Sequence, residues 1–286
     1  MTPDDLLVIA LDAAHEAGRL LASWRTGGRP EVADTKSSPT DVVTEMDRKA
    51  EALITKRIRG ARPGDAILGE EGGQSEGGQR DGGPPDGGPD GQVRWIVDPL
   101  DGTVNYLYGL PDWAVSIAAE VEGTIVVGVV DVPRRGETFI AVRGQGAWLH
   151  STDKQDGGVR LRCTSGVELG QALVGTGFGY EAARRRVQGE VVAALLPQVR
   201  DIRRAGSAAA DLCSVAAGRL DAFYERGLNY WDHAAGGLIA SEAGATVAGL
   251  HGKPASPSMT IAADPALHEQ LSAALAPLDP ERDAPA

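Results

Sequence analysis

Residues 95–163 contain five short, β-branched segments, at 95–97, 114–121, 124–132, 137–142 and 159–163, separated by glycines and turn residues. Glu122-Gly123 between the second and third reads as a two-residue hairpin turn, so the sheet they build is at least partly antiparallel. Two helical patterns precede this block. Leu6, Ile9, Ala13, Ala17, Leu20 and Trp24 form one apolar face over residues 4–25. Val43, Met46, Ala50, Leu53, Ile54 and Ile58 form a second over 41–59, with Thr40 or Asp41 as N-cap after Pro39. From about Ala172 strands and helices alternate: strands at 172–178, 199–203, 220–224, 245–250 and 260–263, and helices near 182–196, 207–217 and 232–243 with one more at the end. Helices, then strands, then alternation predicts an α+β fold of stacked layers.

The expected division is an N-terminal α+β half over residues 1–165, a C-terminal α/β half over 166–276 and a frayed tail over 277–286. Residues 72–91 hold nine Gly and three Pro and no aliphatic or aromatic side chain. Burial cannot offset the ordering entropy of such a tract, which reads as a solvated loop. It lacks the lysine-bearing pattern of a phosphate-cradling loop.

Lys and Arg number 28 against 40 Asp and Glu, a formal charge of −12. That balance argues against broad binding to nucleic acid or an anionic membrane. Two cysteines, Cys163 and Cys213, give no disulfide framework. The acidic N-terminus is unlike a signal peptide, and no apolar run is long enough to span a bilayer. A cytoplasmic location is expected.

The chemistry concentrates at Trp95-Ile96-Val97-Asp98-Pro99-Leu100-Asp101-Gly102-Thr103. A buried-type strand ends in two carboxylates straddling a proline. Hard oxygen ligands at a strand end suit Mg²⁺, with the Leu100 carbonyl as a neutral donor. A helix starting at Gly102–Thr103 would turn free N–H groups toward a phosphate. Two ordinary turns, Asp-Pro and Asp-Gly, are the alternative. Gly69-Glu70-Glu71 is a second carboxylate motif. Trp231-Asp232-His233-Ala234-Ala235-Gly236 opens a helix, where Asp232 is either a cap or part of the site. In a fourth segment, 36–47, Thr44 and Asp47 fall on one predicted helix face.

Together these motifs resemble the inositol monophosphatase family of Mg²⁺-dependent, lithium-sensitive sugar phosphatases. Asp98-Pro99-Leu100-Asp101-Gly102-Thr103 matches its D-P-[I/L]-D-G-T signature, Gly69-Glu70-Glu71 its G-E-E, and 231–236 its W-D-x-A-x-G. Lys36-Ser37-Ser38-Pro39 with Asp41 and Asp47, and Gly206-Ser207-Ala208-Ala209, match two further segments in family order. The resemblance implies a layered αβαβα sandwich with mixed sheets and a homodimer. It implies Glu70, Asp98 and the Leu100 carbonyl as ligands of one Mg²⁺, Asp98, Asp101 and Asp232 as ligands of a second, and a weaker third near Glu70. It further implies phosphate against the Gly102 and Thr103 amides. Thr103, paired with Asp47, would orient the attacking water with Glu70, and Asp101, Ala208, Glu225 and Asp232 would meet the substrate.

The activity so implied is hydrolysis of a small polyol or sugar monophosphate, with inositol 1-phosphate first. Histidinol phosphate, fructose 1,6-bisphosphate and 3′-phosphoadenosine 5′-phosphate are sister substrates, to be separated by residues around 176–180, 206–208 and 225. A regulatory, protein-binding role is a third reading. His233, the two cysteines, Arg184-Arg185-Arg186 and Arg203-Arg204 read as packing or as solvated or interface charge.

Overall fold

The chain opens with the 22-residue helix α1 (Pro3–Trp24), whose buried stripe is Leu6, Ala10, Ala13, Ala14, Ala17, Gly18 and Leu21. A two-stranded antiparallel ribbon, β1 (Val32–Thr35) and β2 (Val42–Thr44), leads into α2 (Glu45–Ala61). The helix expected from residue 41 therefore starts at 45. Val42-Val43-Thr44 is a β-branched run, which prefers a pleated partner to a helical turn. Thr44 is accordingly the end of a strand and does not share a helix face with Asp47.

Next come β3 (Ala66–Gly69), β4 (Gly73–Ser75), β5 (Val93–Asp101), the short helix α3 (Thr103–Tyr108), β6 (Ala114–Val121), β7 (Thr124–Val132), β8 (Glu137–Val142), β9 (Gly146–Ser151) and β10 (Val159–Arg160). These strands form one eight-stranded sheet in the order β10-β9-β8-β7-β6-β5-β3-β4, antiparallel except for the β3–β5 pair. β3, β4 and β9 were not anticipated, and the strand expected over 159–163 ends at Arg160. The predicted hairpin is present: Glu122 and Gly123 both have positive φ, 50° and 72°, as a turn matched to strand twist requires.

The remainder is β11 (Leu173–Thr176), α4 (Ala182–Leu195), β12 (Asp201–Arg203), α5 (Ala208–Ala216), β13 (Ala222–Glu225), α6 (Tyr230–Glu242), β14 (Thr246–Ala248), β15 (Thr260–Ala263) and α7 (Pro265–Leu275). Its five strands form a second mixed sheet, β12-β11-β13-β15-β14. Past α7, the Arg282 guanidinium pairs with Glu190 and its carbonyl accepts from Arg226 at 2.5 Å, while residues 283–286 of the expected frayed tail lie outside the described residues.

Alternation along the strands sets the layers. Val115, Ile117 and Ala119 of β6 face α1 and α2 in one core, and Ala114 and Ala118 face α5 and α6 in another. Leu212, Val215, Phe223 and Ala262 join α5 to the small sheet. Val187, Val191, Leu267 and Leu271 of α4 and α7 cover its far face. The result is the αβαβα order. The described residues are 2–24, 32–35, 42–75, 93–152 and 158–282 of a computed structural model. Segment 36–41 and most of the glycine-rich tract lie outside them.

The central helices lie close against the large sheet because the sheet is small-residue-lined there. A Cβ at Gly128 of β7 would come 2.8 Å from the Ala235 carbonyl oxygen and 3.1 Å from its Cα. Gly128→Ala is therefore expected to destabilise the protein by about 1–3 kcal/mol through overpacking against rigid helix backbone. A thermal melt checks this, and an unchanged melting temperature would mean that α6 can move away freely.

Candidate active site

In a regular strand Asp98 and Asp101 would point to opposite faces, because they are three residues apart. The register between β5 and β6 removes that conflict. Asp98 pairs with Ser116 and Asp101 with Ala114, so three steps on β5 match two on β6. The bulge holds Pro99, which a regular ladder would exclude, and reverses the alternation so that both carboxylates share one side. That side faces α5 and α6, since Ile96, two residues before Asp98, lies in the same core as those helices. The Asp98 carboxylate also accepts the Leu100 N–H at 3.0 Å.

Three further elements bring their groups to the bulge. β3 runs parallel to β5 with Gly69 opposite Val97, and the Glu70 N–H donates to the Val97 carbonyl at 3.2 Å, which sets Glu70 beside Asp98. Asp101 Oδ2 accepts from Ser207 Oγ at 2.6 Å and from the Ala209 N–H at 2.7 Å, tying the start of α5 to the strand end. Asp232 is the third residue of α6 and completes a capping box with Asn229, whose N–H it holds at 2.6 Å through Oδ2. Asp232 thus caps its helix and also lines the cleft.

Gly102 is the N-cap of α3, where φ is 91°. A Cβ there would approach the Asp112 carbonyl to 2.9 Å and the Gly206 carbonyl to 3.2 Å. Only glycine fits this corner. Thr103 follows, its hydroxyl 3.0 Å from Asp47 Oδ1 and 3.1 Å from the Leu100 carbonyl. One hydroxyl hydrogen serves one of these acceptors at a time, leaving the oxygen's lone pairs for another donor. Asp47 itself is buried on α2.

These groups open on a cleft of about 330 Å³ lined by Glu70, Asp98, Leu100, Asp101, Gly102, Thr103, Ala208, Glu225 and Asp232. Its electrostatics are those of crowded anions. Burial, then Glu70, Asp101 and Asp232, push the Asp98 carboxyl well above the usual range. Burial raises Asp101, against hydrogen bonds from Ser207 and Ala209. Burial and the Asp101 and Glu70 charges raise Asp232. Burial, then Asp101 and Asp211, lift Glu225 to about 8, with Arg204 opposing. Among the described residues no three of these side chains close into a coordination shell as they stand. Carboxylates crowded so that their neighbours' charges raise Asp98 and Asp232, with a carbonyl between them, are a donor set suited to hard divalent cations.

The rim departs from the sequence reading. Arg184 and Arg204 were expected to be solvated or interface charges, and both line the cleft. Arg204 lies 6.0 Å from the centre of the Phe178 ring, and Arg184 packs so closely that a Cβ on Gly179 or Gly227 would come within 2.8 and 2.7 Å of it. Glu225 rests on the bare Cα of Gly177, where a Cβ would be 1.9 Å from its oxygen. Arg219, six residues before Glu225, pairs with Glu137 at 2.5 Å. His233 is buried and meets Tyr230 edge-on at 5.6 Å; burial lowers its imidazole to about 4, so it packs as a neutral ring. No helix among the described residues is long and apolar enough to cross a membrane.

The comparisons with known proteins agree with one another. The model of the inositol monophosphatase family matches residues 2–278. The inositol-1-monophosphatase SuhB of Mycobacterium tuberculosis is 49% identical over 255 residues, 88% of this chain and 83% of that protein. The solved structure of Mycobacterium tuberculosis SuhB superposes with a TM-score of 0.78, covering 98% of this chain and 99% of its own. The Nus factor SuhB of Escherichia coli K12 is 41% identical over 249 residues, 86% of each chain.

Proposed function

The chain belongs to the inositol monophosphatase family, and from that premise we propose that it hydrolyses a small polyol phosphate, inositol 1-phosphate first, with Mg²⁺ held by Glu70, Asp98, Asp101, Asp232 and the Leu100 carbonyl. The observation that carries this reading is the β5 bulge, which turns Asp98 and Asp101 to one side beside Glu70 and Asp232. Divalent cations bound there would balance the carboxylates, activate water and offset charge on the phosphoryl group.

The chain's own groups then have distinct tasks. The Gly102 and Thr103 N–H groups, without intrahelical partners at the start of α3, face the phosphate oxygens. Thr103 Oγ1 accepts a hydrogen bond from the incoming water while its own hydrogen points to Asp47. Glu70 takes the second position around that water. Water oxygen bonds to phosphorus and passes one proton to the Glu70 carboxylate, the ester P–O bond breaks, and the polyol oxygen takes up one proton, so that water's two hydrogens end on the phosphate and on the polyol. No side-chain phosphoenzyme is formed. Catalysis here is positioning and charge stabilisation.

Glu225 and Ala208, across the cleft, meet the polyol. With Asp101 and Asp232 balanced by cations, Glu225 ionises and accepts hydroxyl hydrogen bonds, each worth about 1.5–3 kcal/mol to a charged acceptor. Glu225→Gln is expected to lower kcat/KM on inositol 1-phosphate about tenfold or more and to change activity on p-nitrophenyl phosphate much less. Equal loss on both esters would make Glu225 a structural group. The wider test is a panel of phosphate esters scored for released phosphate. Inositol 1-phosphate should lead, and a leading nucleotide or bisphosphate would overturn the substrate assignment.

A further inference from the structure

α2 touches the site twice. Asp47 receives the Thr103 hydroxyl at 3.0 Å. One turn on, Glu51 receives the turn that carries Glu70: its Oε2 accepts the Glu71 N–H at 2.8 Å and its Oε1 the Gly72 N–H at 2.6 Å. Residues four apart share a helix face at a spacing of about 5–6 Å between Cβ atoms. The seat for the Glu51 carboxylate is shaped from both sides. A Cβ at Gly69 would lie 2.6 Å from its carboxyl carbon, and one at Gly72 would lie 2.6 Å from Oε1. Glu51 is 9% exposed, and burying a carboxylate is costly unless it is well bonded. Two backbone N–H groups, one on each oxygen, make a charge-assisted clamp that no neutral side chain reproduces.

We propose that Glu51 is a positioning residue for Glu70, and that α2, gripping Thr103 through Asp47 and the Glu70 turn through Glu51, fixes the span between these two groups. Glu70's own N–H donates to the Val97 carbonyl, which sets its backbone from the β5 side. Glu51 adds an attachment from α2 to the residues that follow it. Gln at this position would present an amide N–H to one of the two backbone N–H groups, opening the clamp without a large change in volume. The inference rests on the phosphatase reading for Glu70's role, so its test is read first on cation binding.

The experiment uses the full chain, stripped of metal, with Mg²⁺ titrated and the thermal unfolding midpoint recorded. A merely structural role for Glu51 would lower the melting temperature at every Mg²⁺ concentration and leave the midpoint of the Mg²⁺ titration in place. Loss of positioning also moves the Mg²⁺ concentration that gives half of the stabilisation. Glu51→Gln should raise that concentration about tenfold or more, as loss of groups behind a metal ligand does. It should lower kcat by a similar factor and leave the ester KM within about threefold. Gly72→Ala is the milder second variant, because it displaces only the flexible end of Glu51. It should shift the Mg²⁺ midpoint the same way by a few-fold. Midpoints within about twofold of wild type in both variants overturn the inference, as does a wild-type melting temperature that Mg²⁺ does not move. A wild-type protein that responds to Mg²⁺ but hydrolyses no ester overturns the proposed reaction and leaves the Glu51 result standing.

Discussion

Asp98→Asn is expected to abolish turnover while the protein folds and, without divalent cations, gains stability. Asp98 is almost fully buried and crowded by Glu70, Asp101 and Asp232. An amide keeps the acceptor for the Leu100 N–H and can donate to Glu70, while removing one of four like charges. The same crowding gives the metal-free protein a pH dependence. Carboxyls whose folded pKa is raised bind protons more readily in the folded state, so their contribution to stability is full in acid and lost as pH rises through the folded values. Asp98, Asp101 and Asp232 are raised, and Asp211 and Glu225 reach about 8. Metal-free wild type should therefore melt higher at pH 6 than at pH 8.5, and Mg²⁺ should reduce the difference. Thermal melts of both proteins, with phosphate release alongside, check this. Wild-type activity in Asp98→Asn, or a pH trend of opposite sign, would contradict it.

Thr103→Ala is expected to cut kcat about a hundredfold or more, the scale of losing a group that positions a reacting proton. The hydroxyl, between Asp47 Oδ1 and the Leu100 carbonyl, is what the site offers a water on that side. The backbone N–H of residue 103 survives the substitution, so the ester KM should change little. Thr103→Ser restores the hydroxyl and should recover most of kcat. Steady-state kinetics on inositol 1-phosphate separate the outcomes. An alanine variant within about threefold of wild type would remove Thr103 from the reaction.

Much of this was legible in the sequence, and the parts that were not have physical reasons. Asp98, Asp101 and Glu70 stand where apolar strands run abruptly into carboxylates, a pattern that local burial and solvation alone do not favour. The Gly206-Ser207-Ala208-Ala209 segment was readable as a motif, but its reason, the hold of Ser207 and Ala209 on Asp101, is a contact across 106 and 108 residues. Glu51 looked like any charge on an amphipathic helix, because its partners are backbone N–H groups twenty residues away. Arg184 and Arg204 sit in basic runs whose composition is that of a solvated surface; only tertiary packing turns one of each toward the cleft. β9 was missed because Gly146-Ala147-Trp148-Leu149 lacks β-branched residues, and its pairing with β8 decides its conformation. At 42–44 an apparent helical period misled, since Val43 met the stripe's spacing but belonged to a strand.

This cleft is expected to hydrolyse a phosphate monoester only with divalent cations on its carboxylates. The measurement is inorganic phosphate released from inositol 1-phosphate by the metal-stripped wild-type chain, before and after Mg²⁺ is restored. No release above background is expected before addition, and sustained turnover after it. Equal release in both states, or none in either, would contradict it.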